Sequence, residues 1–170
     1  MRKVIATTAV GVLAIVGLAA CGGDDGSVSV EKDGTSVKVD KDGGKVTVES
    51  EDGKGTFSAG DETEVPESFP SAVPLPDGKL SVSLDGERDG KQYFTLTYSV
   101  DEDDVDDVFS DYRDALEDAG FDLGDRSSYE GGGGAFASIQ AKSSEWEVVA
   151  VKVASGGADG SGISVTVTQV

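Results

Sequence analysis

Apolar and polar residues alternate in two neighbouring stretches of the carboxy-terminal half, and this alternation predicts a β-hairpin. Leu80, Val82 and Leu84 form the first stretch, and residues 94–98 form the second. Because successive side chains of a strand point to opposite faces, each stretch has one apolar face. Residues 85–90 between them are polar and contain two glycines, so they are predicted to form the turn.

The next segment has apolar residues at helical spacing, which predicts an amphipathic helix. These positions are Val105, Val108, Phe109, Tyr112, Leu116 and Ala119. The sequence offers two alternatives for its N-cap: a capping box of Ser99 with Glu102, or Asp101 alone. Gly120 is predicted to end the helix in a Schellman motif, with Phe121 contacting the last turn.

Three further strands are predicted at about 135–142, 145–154 and 163–169. Residues 148–153 are apolar on both faces, which is typical of a central strand. The order ββαβββ predicts an α+β domain over residues 79–170, with one amphipathic helix packed on a mostly antiparallel five-stranded sheet. The large aromatic side chains are predicted to lie in its core: Phe94, Phe109, Tyr112, Phe136 and Trp146.

Residues 21–63 precede this domain and repeat a pattern of paired valines followed by Asp-Gly. The valine pairs at 28/30, 37/39 and 46/48 are shifted by nine residues each, which predicts short β-hairpins with valine on one face. Six buried valines stabilise by at most roughly 9–18 kcal/mol, whereas ordering about 30 residues costs roughly 45 kcal/mol. The segment is therefore predicted to be an acidic tether, either loose or docked through its valine face.

Residues 64–78 contain all four prolines of the chain, at positions 66, 70, 74 and 76. Proline at this density enforces extended backbone and marks a boundary. Phe69, Val73 and Leu75 lie between the prolines, so this proline strap is predicted to pack on the domain that follows.

The amino-terminal residues 1–20 have the pattern of an export signal. Arg2 and Lys3 are followed by an uncharged, mostly apolar run from Val4 to Ala20. Its end, Leu18-Ala19-Ala20 followed by Cys21, resembles the lipobox of bacterial lipoproteins at all four positions. The segment PESFPSAVPLPDG in the proline strap also resembles one found in uncharacterised actinobacterial-type envelope lipoproteins.

The lipobox resemblance implies that the Cys21 sulfur takes a diacylglycerol group and that the signal is cut before Cys21. Acyl chains such as palmitate would then hold the protein on the extracytoplasmic face of the cell membrane. Two chains on one residue suffice for stable anchoring, because each buried CH₂ contributes about 0.8 kcal/mol. An uncleaved transmembrane anchor and plain secretion remain the alternatives.

Charge and composition narrow the function classes further. The chain of 170 residues has a net charge of −19, no histidine and a single cysteine. Without residues 1–20, which hold two cations and no acid, 12 basic and 33 acidic residues remain, a net charge of −21. Such a surface repels nucleic acid. Histidine-dependent catalysis and disulfides within the chain are excluded.

Two surfaces are candidate sites. The acidic run at the predicted helix start offers Asp101, Asp103, Asp104 and Asp107 as ligands for a hard cation such as calcium. Acids also stabilise a helix amino-terminus, and this second interpretation leads us to predict no metal and no cofactor. The glycine-rich segments 131–134 and 155–162 are predicted to lie at one sheet end with residues 85–90 and Gly120, where they would admit a ligand.

The sequence thus predicts a lipid-anchored, non-catalytic accessory or binding module of the cell envelope, with an unknown ligand or envelope protein as partner. An extracytoplasmic hydrolase acting through paired carboxylates is one alternative. A calcium-dependent surface protein is the other. Neither has a motif of its own in the chain.

Overall fold

A computed structural model describes residues 27–32, 35–40, 45–50, 53–131, 134–155 and 161–170. The predicted signal segment and Cys21 lie outside these residues. One helix, α1, spans Val105–Asp118. The ten strands are β1 Ser27–Lys32, β2 Thr35–Asp40, β3 Lys45–Ser50, β4 Gly53–Ala59, β5 Lys79–Arg88, β6 Lys91–Val100, β7 Asp122–Gly131, β8 Gly134–Lys142, β9 Trp146–Ser155 and β10 Ser161–Gln169.

All ten strands belong to one antiparallel sheet in the order β1-β2-β3-β4-β5-β6-β10-β9-β8-β7. The predicted five-stranded α+β sheet is therefore wrong: the described part of the chain is mostly β, with a single helix. One reason is that β4 pairs along its whole length with β5, so the sheet continues into the valine repeat. The other is strand β7, which the pattern did not predict. The division of the chain into domains stays a prediction.

Strand β7 has no apolar alternation from which it could have been predicted. Its residues from Asp122 to Tyr129 are all exposed, and its one neighbour in the sheet is β8. Pairing with β8 makes it a strand: Ser127 and Tyr129 lie opposite Ser138 and Phe136, and the hydroxyls of Ser127 and Ser138 are hydrogen-bonded at 2.7 Å. An edge strand of this kind buries little, and its sequence carries no hydrophobic signature.

The β5–β6 turn is tighter than predicted. Strand β5 runs on to Arg88, which pairs with Lys91, so the loop consists of Asp89 and Gly90 alone. Both have positive φ, 55° and 75°, as a type I′ hairpin turn requires. Gly86, predicted to be part of the turn, lies inside the strand instead.

Position 86 requires glycine because the Tyr93 side chain occupies the space beside it. A Cβ on Gly86 would lie 2.5 Å from the Tyr93 ring, and one on Gly55 of β4 would lie 3.2 Å from the Tyr93 hydroxyl. The ring thus lies over two glycines on adjacent strands, an arrangement that shields their backbone. It ties β4 to the β5–β6 hairpin.

The helix lies where its spacing predicts and ends as predicted. Gly120 has φ of 84°, its N–H donates to Glu117 O, and the Phe121 N–H donates to Leu116 O at 3.0 Å, the two bonds of a Schellman motif. Its start differs, because the N-cap is Asp104 and no side chain caps it. Both predicted caps are wrong.

The core lies between α1 and one face of β6, β10, β9 and β8. Its fully buried side chains are Phe94, Leu96, Val105, Tyr112, Leu116, Val148, Ile163, Val165 and Val167. The proline strap closes one side, with Val73 buried and the Phe69 ring 5.4 Å from Phe94. Four of the five predicted core aromatics join this cluster. Phe136 does not, because it alternates with buried Ala137 and is 40% exposed on the opposite face.

A β-bulge at Ser81 divides the apolar residues of β5 between the two faces. Leu80 lies opposite buried Tyr98. In a regular ladder Val82 would then lie opposite buried Leu96, but the bulge places it opposite Thr97. Val82 and Leu84 therefore lie on the face away from the helix, contrary to the single apolar face predicted. A one-residue insertion has this effect because the side-chain period of a strand is two.

Candidate functional site

The structure places the acidic run at the start of α1, on the surface. Asp101, Asp103, Asp104 and Asp107 are all exposed. Within the described ranges, no three acidic, histidine or cysteine side chains come together in an arrangement that would hold a metal ion. A backbone hydrogen bond forms the turn that precedes the helix: the Asp104 N–H donates to Asp101 O at 3.0 Å.

One acid of the run has a specific partner that the sequence analysis missed. Lys152 Nζ donates to Asp106 Oδ1, and the same ammonium lies 6.0 Å from the centre of the Phe109 ring. The Lys152 side chain is 9% exposed and that of Asp106 is 77% exposed. The ion pair thus connects the first turn of α1 to the core face of β9. A lone lysine inside an apolar strand was the signal that would have identified it.

Three hydroxyl groups lie buried at the same end of the core. Tyr98, Tyr112 and Ser161 have no hydrogen-bond partner among the residues that the structure describes. Burial raises the pKa of Tyr98 to about 12. Burial, with a smaller contribution from Tyr98, also raises the pKa of Tyr112. These groups stay protonated at neutral pH and offer no base.

A cleft of about 660 Å³ lies at the opposite end, beyond the carboxy-terminus of the helix. Ala72 of the proline strap forms one wall, residues 119–122 a second, and the turn at 142–146 the third. The Trp146 ring contributes apolar surface, while Asp122 and Lys142, paired in the β7–β8 register, bring charges of both signs. The cleft is open to solvent and suits a small polar ligand or a loop of a partner.

The turn that forms the third wall is held by one serine. The Trp146 N–H donates to Ser143 Oγ at 3.1 Å, and the Ser143 N–H donates to Trp146 O at 2.8 Å. These two bonds hold the backbone of Trp146 at the first residue of β9. No motif in the sequence marks the cleft, because its walls come from three segments far apart along the chain.

The two glycine-rich segments lie at one end of the sheet, but residues 85–90 and Gly120 lie at the other, contrary to the prediction that all four share an end. Ser161 pairs with Val100 and Gly131 with Gly134, so both segments start and end near the helix amino-terminus. The β5–β6 turn and Gly120 lie at the cleft end. The missed strand β7 explains the error, because one additional strand reverses the direction of those that follow.

The carboxylates are scattered over the surface. Among the described side chains, Asp85 is the single carboxylate that is not exposed. Burial raises its pKa, against the opposing charges of Lys45 and Lys54. It lies on β5 opposite Phe94, at the margin of the core and outside the cleft lining. Paired carboxylates in an enclosed cleft, the arrangement of a glycosidase, are not found in the described part of the chain.

No family model matches the chain, and a search of curated proteins finds no similar sequence. In the described ranges, no helix has the length and apolar character needed to cross a bilayer. Cys21 and the predicted signal segment lie outside those ranges.

Proposed function

We propose that the protein is a lipid-anchored, non-catalytic module of the cell envelope, held on the extracytoplasmic face of the membrane through Cys21. The observation that carries the proposal is Leu18-Ala19-Ala20-Cys21, placed directly after two cations and an uncharged apolar run. Placement, flanking residues and the four positions agree with a lipoprotein signal. Cys21 is the sole thiol of the chain, so it is also the sole possible site of thioether lipidation.

The geometry favours a binding module over the hydrolase. A carboxylate that acts as a general acid needs a raised pKa, which burial in a cleft provides. The described carboxylates are exposed, with the exception of Asp85 at the core margin. The cleft beside Trp146 instead combines an aromatic wall with charges of both signs and a hydrogen-bonded turn, features of a recognition surface. Its ligand would be neutral or cationic, since a chain with a net charge of −19 repels anions and attracts cations.

Substitution of the thiol tests the proposal. We expect Cys21→Ala to abolish incorporation of a clickable fatty-acid probe in cells and to leave the signal uncleaved, because the sulfur is the acyl acceptor. Intact-mass measurement and fractionation of membranes report the two effects. Ala19→Ser is the matched control, since the lipobox tolerates a small residue there and should still be labelled. Equal labelling of Cys21→Ala and wild type would refute the proposal.

A further inference from the structure

We propose that the protein docks on the bilayer through an apolar sheet face close to its anchor, an inference that rests on the proposed lipidation of Cys21. This valine face consists of Val37, Val39, Val46, Val48, Phe57, Val82 and Leu84. Cross-strand register places these residues together, since Val39 lies opposite Val46, Val46 opposite Phe57, and Phe57 opposite Leu84.

The valine face lies on the side of the sheet away from α1. Leu84 pairs with Thr95, which alternates with the buried core residues Phe94 and Leu96. No described residue covers its centre: Val39 is 36% exposed, Val48 39% and Phe57 40%. An apolar surface of this extent is unusual on a protein that works alone in water, and its commonest explanation is a contact with a partner or a membrane.

The described carboxylates of these strands all lie on the helix side. On the helix side, β2 to β5 carry Lys38, Lys45, Glu49, Lys54, Asp85 and Glu87. On the side of the valine face, the described side chains of β2 to β6 include no carboxylate, although acids outnumber basic residues 33 to 14 in the chain. The charged side chains of β5 and β6 on that side are three basic ones near the strand ends, Lys79, Arg88 and Lys91. The apolar residues away from these ends enter a lipid interface without the desolvation cost that a buried charge brings. Their backbone groups are already paired within the sheet.

The anchor is near enough to bring this face to the membrane. Residues 22–26, five residues in all, separate Cys21 from Ser27, the first residue of β1. Because an extended chain covers at most 3.3–3.6 Å per residue, the start of β1 lies within about 20 Å of the lipid attached to Cys21. Such a short linker gives the adjoining sheet a high effective concentration at the bilayer surface.

A zwitterionic bilayer fits this face better than a second copy of the chain does. A second copy of the chain without residues 1–20 would bring a further net charge of −21 to the contact, and the two copies repel over about 10 Å at moderate salt. A phosphatidylcholine surface has no net charge. On phosphatidylglycerol the same repulsion opposes docking, so we expect docking there to strengthen as salt is added.

Single-cysteine labelling of the lipidated full-length protein tests the inference. Acylation leaves Cys21 unreactive, so a cysteine introduced by Val48→Cys or Thr47→Cys is the sole labelling site. These neighbours of β3 lie on opposite faces, which makes Thr47→Cys the matched control. Each variant, labelled with an environment-sensitive fluorophore, is reconstituted at about one copy per vesicle in phosphatidylcholine containing a spin-labelled lipid. We expect several-fold stronger quenching at position 48 than at position 47.

The outcomes separate the inference from the proposed function. Thermal melts first establish that both variants fold, and Val39→Cys with Lys38→Cys on β2 replaces the pair if they do not. Equal, weak quenching at both positions of a lipidated protein would overturn the docking inference alone. In a second series with many copies per vesicle, probe-to-probe energy transfer above that of randomly placed probes, without lipid quenching, would identify a second copy as the occupant and also overturn it. An unmodified Cys21 would refute the proposed function and this inference together.

Discussion

At the scale of single residues, the tyrosines buried near the start of α1 show how the core accommodates polar groups. Tyr98 and Tyr112 are 4% and 2% exposed, and their hydroxyls have no partner among the described residues. A buried hydroxyl without a hydrogen bond costs roughly 1–3 kcal/mol. The rings compensate through apolar burial, since aromatic side chains remove large areas from water. The hydroxyls are therefore a stability cost that packing offsets.

This cost leads to a prediction for Tyr98→Phe. Removing the unpaired hydroxyl should raise the free energy of unfolding by about 1 kcal/mol at neutral pH. The pKa of Tyr98 is about 12 when folded and 10.0 ordinarily, so the unfolded chain loses the proton first. Wild-type stability should therefore fall as pH rises from 10 towards 12, because ionisation favours the unfolded state. Tyr98→Phe should lose less.

Urea melts between pH 8 and pH 12 measure the difference. Tyr129→Phe is the control, because the Tyr129 side chain is 69% exposed and its substitution should change neither value. The same pH slope in Tyr98→Phe and wild type would contradict the role assigned to this phenol.

At the scale of elements, a few contacts position the helix on its sheet. The pair of Asp106 and Lys152 joins the first turn of α1 to β9, while the Schellman motif fixes the last turn. Tyr93 performs the equivalent task between β4 and the β5–β6 hairpin. Apart from β4, which has no valine pair, the elements that these contacts connect are predicted by the local pattern. The contacts decide how the elements are arranged.

We predict that Asp106→Asn destabilises the protein by about 1–3 kcal/mol, because it leaves the buried ammonium of Lys152 without its carboxylate. Asp103→Asn in the same run is the matched control. Asp103 is exposed and has no ion pair in the described part of the chain, so its change should stay within about 0.5 kcal/mol. Denaturant melts of the two variants decide the matter. Equal effects would show that the pair contributes nothing.

At the scale of the whole molecule, one sheet combines two different modes of burial. In β6, β10, β9 and β8, which are neighbours in the sheet, the buried face is the one under α1. In β2 to β5 the apolar face is the opposite one. The bulge at Ser81 lies where the apolar face changes sides. The described residues of the central core cluster all come from positions 73–167, so none belongs to the valine repeat.

This separation predicts that deleting residues 22–60 leaves a folded, cooperative protein. The core cluster is retained in full, although β5 becomes an edge strand. We expect a single transition in urea with a smaller m-value than that of the full chain, because less surface is exposed on unfolding. Circular dichroism of both proteins provides the comparison. Aggregation or a non-cooperative melt would show that the valine repeat is part of the core.

The sequence by itself determined the local elements and the predicted cellular address. The helix with its Schellman end, the β5–β6 hairpin and strands β8 to β10 follow from spacings of two to four residues. Such patterns are readable because the side chains involved are close along the chain. The lipobox resemblance is equally local, and the lipidation it implies stays a prediction.

Only the tertiary structure decided which elements meet. Backbone hydrogen-bonding groups are the same in every strand, so nothing local specifies that β4 continues into β5 or that polar β7 completes the sheet. The cleft beside Trp146, the pairing of Lys152 with Asp106 and the uncovered valine face all depend on that assembly. A single bulge moves the apolar side chains to the other face of the sheet, because strand side chains alternate with a period of two. An additional strand moves the loops that follow it to the other end of the sheet, because antiparallel strands alternate in direction.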